Sequence, residues 1–410
     1  MSNSGFRASL DKDFERFKRA LPRDFPAHVR DTYRIDLSAD YLGQPLPHPI
    51  GKGSGQLSLN TGQLETDAEA GLGFAVLKTV IAQDEAGSQS MAAWAVHETK
   101  MTVERRRAAS NRTGWTVTWK GRGWDRTLDE YLALVRAGRD LTRARRLLVL
   151  PSVKYHLPRL QEPFRDAEYR YTTRRLADAW GEPPLLVEKD FSPTLAGDSL
   201  AADRGQIVRW LREVPVRIRS ASPGPVRIAV KLMNARFDDD FQLAMMAACT
   251  GADALVVFNR LFDAERGVAY GGWDLSERNL RVLDAIAPRV SAGPPNTPGS
   301  PPLTPGLRPL TPGLRPGLCG TGNICSGRLI VDYARRGCES VQLHTFFQLP
   351  LSEYAATRGS RTQRALHALV FHPSDGLVAA MLELEAAGEL ERRDGALHFL
   401  DLASHAHRPG

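Results

Sequence analysis

Cysteine is scarce in this chain: among 410 residues there are four, Cys249, Cys319, Cys325 and Cys338. Thiols so few and so unevenly placed exclude a disulfide framework, and the Cys319–Cys325 spacing fits no zinc or iron–sulfur ligand pattern. A reducing, cytoplasmic compartment and no metal are therefore expected. Long apolar runs are absent too, since none approaches the roughly 18 residues of a membrane-crossing helix. The first residues, "MSNSGFRASLDKDFERFKRAL", are charged and lack the apolar centre of a signal peptide. A soluble protein with no membrane partner is the expectation. An early glycine fingerprint after the first strand-like run is also missing, which argues against an open doubly wound sheet.

What is present is the balance of a folded protein with a proper core: 42% apolar and 25% charged residues. The formal charge is +7, mostly from arginine. Such a surplus would suit an anionic ligand, but it reads first as a solvated surface, and no nucleic-acid partner is expected. The length exceeds one ordinary globular domain yet matches a single α/β barrel with extensions.

Eight apolar runs punctuate the chain: "PHPIGKGSG" (47–55), "FAVLKTV" (74–80), "RLLVLPSV" (146–153), "PLLVEKDFS" (184–192), "VRIAVKLMN" (226–234), "ALVVFNR" (254–260), "GLCGTGNI" (317–324) and "SVQLHTF" (340–346). Most lack polar alternation, as strands covered on both faces do. Stretches such as "TLDEYLALVRAG" and "DFQLAMMAACTGA" between them carry apolar residues at helical spacing and often end at glycine. The pattern predicts an α/β fold, a closed (β/α)8 TIM barrel over 41–350, with an N-terminal extension over 1–40 and a C-terminal helix–hairpin cap over 351–410. In that tail Asp394-Gly395 marks the expected hairpin turn. A Pro/Gly-rich insertion at 288–316, with "LTPGLRP" twice in tandem, precedes the seventh run and reads as a disordered expansion at the rim away from a barrel's active face.

In such a barrel the polar residues at strand C-termini carry the chemistry. Lys231 follows "RIAV", Asn259 follows "LVVF", Gly320, Thr321 and Gly322 end the seventh run, and His344 and Thr345 end the eighth. The two glycine- and hydroxyl-rich ends offer N–H donors for a phosphate, with the helix start in "SGRLIVDYARRG" aimed at the same anion. Glycines there would also serve tight turns alone. A lysine inside an apolar strand either snorkels to water or faces a ligand that carries or gains negative charge, and a flavin fits the second role.

The ordered segments "IDLSADYLGQPLPHPIGKGSG", "EAGLGFAVLKTV", "NRTG" (111–114), "VEKDFSPT", "VKLMN", "GADALVVFN", "YGG" and "GTGNICSGRLIVDYARRGCESVQLHT" resemble the dihydroorotate dehydrogenase family of FMN-dependent barrels over about 34–347. The resemblance implies FMN as cofactor, Ser192 as the general base and Lys189 as a cation beside it. It also implies Asn111 and Asn259 as substrate-binding residues, and Lys231 at the N1 edge of the flavin. Gly53, Ser54 and Thr79 would contact the isoalloxazine or its side chain. Thr321, Gly322, His344 and Thr345 would hold the phosphate, with Gly272 and Gly320 also among the cofactor-binding residues.

The departures from the family are specific. Lys189-Asp190-Phe191-Ser192-Pro193-Thr194 lacks both flanking asparagines of the strand-four motif. Ser58 stands where the family places a lysine, although Lys52 lies nearby, and Pro151 stands where the third strand bears an asparagine. Trp-Asp-Leu follows Gly271-Gly272 in place of a small Ser-Gly pair. The expected activity is oxidation of dihydroorotate or a related cyclic amide by hydride transfer to flavin, as in pyrimidine biosynthesis. A degenerate barrel that binds FMN or another phosphate ligand without turnover is the alternative. The expected partner is a small-molecule substrate, and a homodimer is a possible assembly.

Overall fold

The computed structural model describes residues 3–95, 102–107, 111–118, 123–191, 204–234, 238–263, 268–270, 273–286 and 316–405. The Pro/Gly-rich segment up to residue 315, Ser192 and Gly272 lie outside the described residues.

All eight apolar runs form strands: β1 Ile50–Lys52, β2 Phe74–Val76, β3 Leu148–Leu150, β4 Leu185–Asp190, β5 Val226–Lys231, β6 Ala254–Val257, β7 Gly317–Thr321 and β8 Cys338–Leu343. Each pairs in parallel with the next, β3 meeting β4 through its continuation Ser152–Lys154, and β8 returns to β1 through Val341 opposite Ile50, so the sheet closes on itself as a barrel. Helices follow the strands in turn: α1 Thr61–Glu69, α2 Leu128–Arg143, α3 Asp166–Trp180, α4 Arg204–Ala221, α5 Asp239–Ala248, α6 Trp273–Asp284, α7 Gly327–Ala334 and α8 Arg361–Phe371. Local chemistry sets their starts. Thr127 with Glu130 and Ser360 with Gln363 form capping boxes at α2 and α8, and Ser326 accepts from Leu329 N at α7.

Pro151 shapes the third strand. It has no N–H to give to a ladder, so β3 breaks there and resumes as Ser152–Lys154, which pairs with the short Val80–Ile81 continuation of β2. The Tyr131 hydroxyl of α2 repairs the break, accepting from Ser152 N and donating to Ser152 O, both at 3.0 Å. At the bottom of the barrel an entry hairpin, Ala39–Tyr41 with Gln44–Leu46, turns through Leu42 and Gly43, both at positive φ (60° and 70°). It lays Tyr41 on Phe74, ring centroids 4.6 Å apart.

The termini meet outside the barrel. Helices Asn3–Phe17 and Phe25–Tyr33 bring Phe17 and Phe25 against Phe371 of α8. In the tail Asp394 and Gly395 take positive φ (52° and 79°), but only Arg393 and Ala396 pair across that turn. Beyond it Leu397–His398 pairs in parallel with Ile35–Asp36, and Phe399–His405 is helical. The hairpin stays short because Arg392 is held by Glu385 at 2.6 Å and by the Arg34 carbonyl at 2.9 Å, while buried Leu397 joins buried Ile35.

Two antiparallel hairpins rise beyond the strand ends, Thr102–Arg107 with Thr113–Thr118 and Leu261–Asp263 with Val268–Tyr270. Neither was expected from the sequence pattern. The first is anchored by Arg105 and Trp115 Nε1, both to Glu353, and by Arg260, whose guanidinium donates to Val117 O. No helix among the described residues is long and apolar enough to cross a membrane.

Candidate functional site

Five of the seven lysines among the described residues are buried: Lys52, Lys78, Lys154, Lys189 and Lys231. An ammonium seldom leaves water without a partner or a ligand, so the surroundings of each separate structural cations from functional ones. Lys52 is structural. It leaves the outer face of β1 and donates to Asp67 Oδ1 of α1 at 2.5 Å and to Thr362 Oγ1 of α8 at 2.8 Å, while Thr362 donates to Asp67 at 2.7 Å. That closed triad staples strand to helices and holds the Lys52 ammonium between β1, α1 and α8. Ser58, which the resemblance set against a family lysine, donates to Val76 O at 2.6 Å.

Strand β4 separates its charges by the period of two that a pleated strand imposes. Glu188 and Asp190 reach across the barrel interior, to Gln342 of β8 and to Thr79 and Asn259 respectively. Lys189 lies on the opposite face, where its ammonium donates to Asp190 O at 3.0 Å and sits 4.4 Å from the centroid of the Phe191 ring. Burial, helped by the charge of Lys154, brings its pKa down to about 7. The residue expected to stand as a cation beside Ser192 therefore points away from the barrel axis, and Asp190 is the inward-facing neighbour.

The floor of the mouth is a polar cluster around Lys231. Its Nζ donates to Gln342 Oε1 at 3.1 Å and lies 3.8 Å from Glu188 Oε1. Gln342 Nε2 donates to Glu188 Oε2 at 2.6 Å and to the Tyr41 hydroxyl at 3.0 Å, and that hydroxyl donates to Glu188 Oε2 at 3.1 Å. Burial pushes the Glu188 carboxyl above the usual range, against the pull of Lys231. Gly53 covers this cluster: a Cβ there would come within 3.1 Å of Gln342 Oε1 and 3.2 Å of Lys231 Nζ. The missing side chain leaves the ammonium clear.

Hydroxyl groups line one side of the mouth. Thr79 Oγ1 bonds Ser54 Oγ at 2.8 Å and Ser152 Oγ at 3.0 Å, and makes a long contact of 3.4 Å to Asp190 Oδ2. Asn259 Nδ2 reaches the other carboxylate oxygen, also at 3.4 Å. Cations crowd the rim. Burial lowers Lys78 to about 8, against the attraction of Asp190 and Asp125, and burial alone lowers Arg260 to about 9. His344 packs its ring against Gly55. Burial keeps that imidazole neutral, and the surrounding charges of Arg260, Lys231, Lys78 and Lys52 add to the effect.

The ends of β7 and β8 close the ring. Gly322 takes φ +113°, a conformation that favours glycine, and Ser276 of α6 donates to its carbonyl at 2.7 Å. Asn279 of α6 ties Thr321 O (2.8 Å) to Phe258 O (3.1 Å). Thr321 Oγ1 donates to Gln342 O at 2.9 Å, and Thr345 Oγ1 accepts a long bond of 3.5 Å from Arg260. Gly320 lies against the Tyr333 ring of α7, where a Cβ would clash.

Of the residues expected from the sequence, Gly53, Ser54, Thr79, Lys231 and Asn259 converge at the mouth, with Thr321, Gly322, His344 and Thr345 on its β7–β8 rim. Lys189 does not join them. Asn111 sits exposed in the turn of the first hairpin at φ +69°. Its neighbour Arg112 crosses to Glu277 of α6 at 3.1 Å. Ser192 and Gly272 fall outside the described residues. Glu188, Asp190, Gln342 and Arg260 are the additions, and β4 carried a signal for two of them: acids two apart in an apolar strand share a face.

A solved structure of dihydroorotate dehydrogenase (DHODH) from Eimeria tenella, in complex with ferulenol, matches this architecture with a TM-score of 0.57 at 13% identity, covering 98% of this chain and 96% of that one. The chain has a DHODH-like fold. No family model and no curated protein matches the sequence. Among the described residues no three His, Cys, Asp or Glu side chains are grouped to hold a metal ion.

Proposed function

We propose that the mouth of the DHODH-like barrel binds FMN and that the chain is an FMN-dependent oxidoreductase acting on dihydroorotate or a related cyclic amide. The observation that carries this reading is the cradle at the floor: a buried ammonium, Lys231, kept clear by a glycine whose Cβ would lie 3.2 Å from it. The residues present fit the group. Gly53, Ser54 and Thr79 offer a flat, hydroxyl-edged approach for a ring, and Arg260, Thr321, Gly322 and Thr345 offer cationic and hydroxyl partners for a phosphate. Bound there, FMN would supply the acceptor for a hydride.

The chain's own residues divide the remaining work. Lys231 places a fixed positive charge where negative charge gathers, with no reorganisation needed at the moment of reaction. Asn259 presents an amide for a substrate carbonyl or N–H. Asp190 holds a carboxylate toward the axis, two residues before Ser192, and so supplies the proton acceptor that an unaided serine hydroxyl is not. From there the Thr79, Ser54 and Ser152 hydroxyls form a hydrogen-bonded chain along which a proton can leave. Proximity does the rest.

Anaerobic addition of dihydroorotate to the FMN-loaded protein tests the reading. Bleaching of the yellow colour is the expected result. Colour retained with dihydroorotate and with related cyclic amides would leave a flavin binder without turnover, and a protein that takes up no FMN would refute the proposal.

A further inference from the structure

Behind the Lys231 ammonium stands a carboxylate that cofactor binding does not require. Glu188 is fully buried, its Oε2 receives Gln342 and Tyr41, and its Oε1 has no hydrogen-bond partner and faces Lys231 Nζ at 3.8 Å. Replacing both members of such a buried pair by apolar side chains of similar volume is often neutral for stability. Packing therefore gives no reason to keep a charge at this position.

We propose that Glu188 is the counter-ion that sets the reduction potential of a flavin held over Lys231, acting as a positioning residue through the ammonium. The inference rests on the FMN reading above. Two electrons and one proton taken up by oxidised FMN leave one negative charge on the ring system, and a nearby cation stabilises it. Glu188, on the far side of that cation, opposes the same charge and draws the ammonium down toward the floor. The balance favours the oxidised flavin and eases its reoxidation by an acceptor.

The other groups facing Glu188 do not cancel this effect. Asp190 on the same strand adds a second negative charge. Tyr41, Tyr131 and Cys319, from the entry hairpin, α2 and β7, are held neutral by burial. Lys231 is the cation that acts on Glu188.

The test is the midpoint potential of the FMN-loaded full chain, read by anaerobic dithionite reduction against a reference dye. Glu188→Gln is expected to shift the equilibrium toward reduced flavin by at least tenfold, which is about 30 mV for a two-electron couple. Glu188→Met, which removes the charge without leaving a polar group, shifts it in the same direction and serves if the amide variant folds poorly. A purely structural Glu188 would leave the potential of both variants where the wild type has it, and that result overturns the inference while the flavin reading stands. A wild-type chain that binds no FMN overturns both.

Discussion

Lys231→Met removes the partner of a fully buried carboxylate, and the structure sets the size and the pH dependence of the loss. At 3.8 Å and an effective dielectric constant of about 20, the lost attraction is about 4 kcal/mol. Breaking one side of a buried pair costs a similar ~3–5 kcal/mol. Glu188 limits that loss by taking up a proton, because burial without Lys231 raises its folded pKa further above the unfolded value of about 4.3. Between those two pKa values the folded state holds more protons than the unfolded one, so stability falls as pH rises. The deficit of Lys231→Met against wild type should therefore be small near about pH 5 and larger by ~1–3 kcal/mol near about pH 8. Adding Glu188→Gln should recover most of it. Urea unfolding followed by tryptophan fluorescence and by far-ultraviolet circular dichroism measures the difference, with coincident transitions as the check on a single unfolding step. A deficit equal at both pH values, and untouched by the second substitution, would refute the pairing.

Three further outcomes follow from the same geometry. Asp67→Asn should destabilise the chain by ~3–5 kcal/mol in urea, because it strands Lys52 in a buried site between β1, α1 and α8; a loss below 1 kcal/mol by that same measure would mean the triad is dispensable. Gly322→Ala places a Cβ on a residue at φ +113° and against Asn279, so thermal unfolding should move down by several degrees, and an unchanged midpoint would contradict the backbone geometry. Lys189→Met should stabilise the chain by roughly 1–3 kcal/mol near neutral pH. Burial depresses the folded pKa of that lysine to about 7, so the unfolded state binds more protons from there up to about 10.4 and wild-type stability rises across that window. The gain from methionine should accordingly shrink as pH increases, and a gain that grows with pH would place Lys189 in the wrong environment.

The barrel was legible because strands covered on both faces leave a trace: most of the eight runs are apolar without polar alternation, and each run contains its strand. The hairpin Thr102–Arg107 with Thr113–Thr118 left no such trace, since "TVERRR" is half exposed and its order comes from Glu353 and Arg260, far away in sequence. The site was half legible. Lys231 stood out as a charge in an apolar strand, and Gly53 and Thr79 followed from resemblance. Lys189 was misplaced because the match to a motif carries no parity, whereas the pleat does: with Glu188 and Asp190 bound to inward partners, the residue between them must face out. Gln342 and Tyr41 gave no local signal, because their role exists only where β8 and the entry hairpin meet Glu188 inside the closed barrel.

One flavin held jointly by Lys231 and the rim of β7 and β8 is the core of the proposed function. The visible spectrum of the full chain, incubated with FMN and freed of excess, tests it most directly alongside Lys231→Met. A yellow wild type carrying one flavin per chain and a variant that retains far less are the expected results. A colourless wild type, or one whose colour survives the loss of Lys231 undiminished, would contradict it.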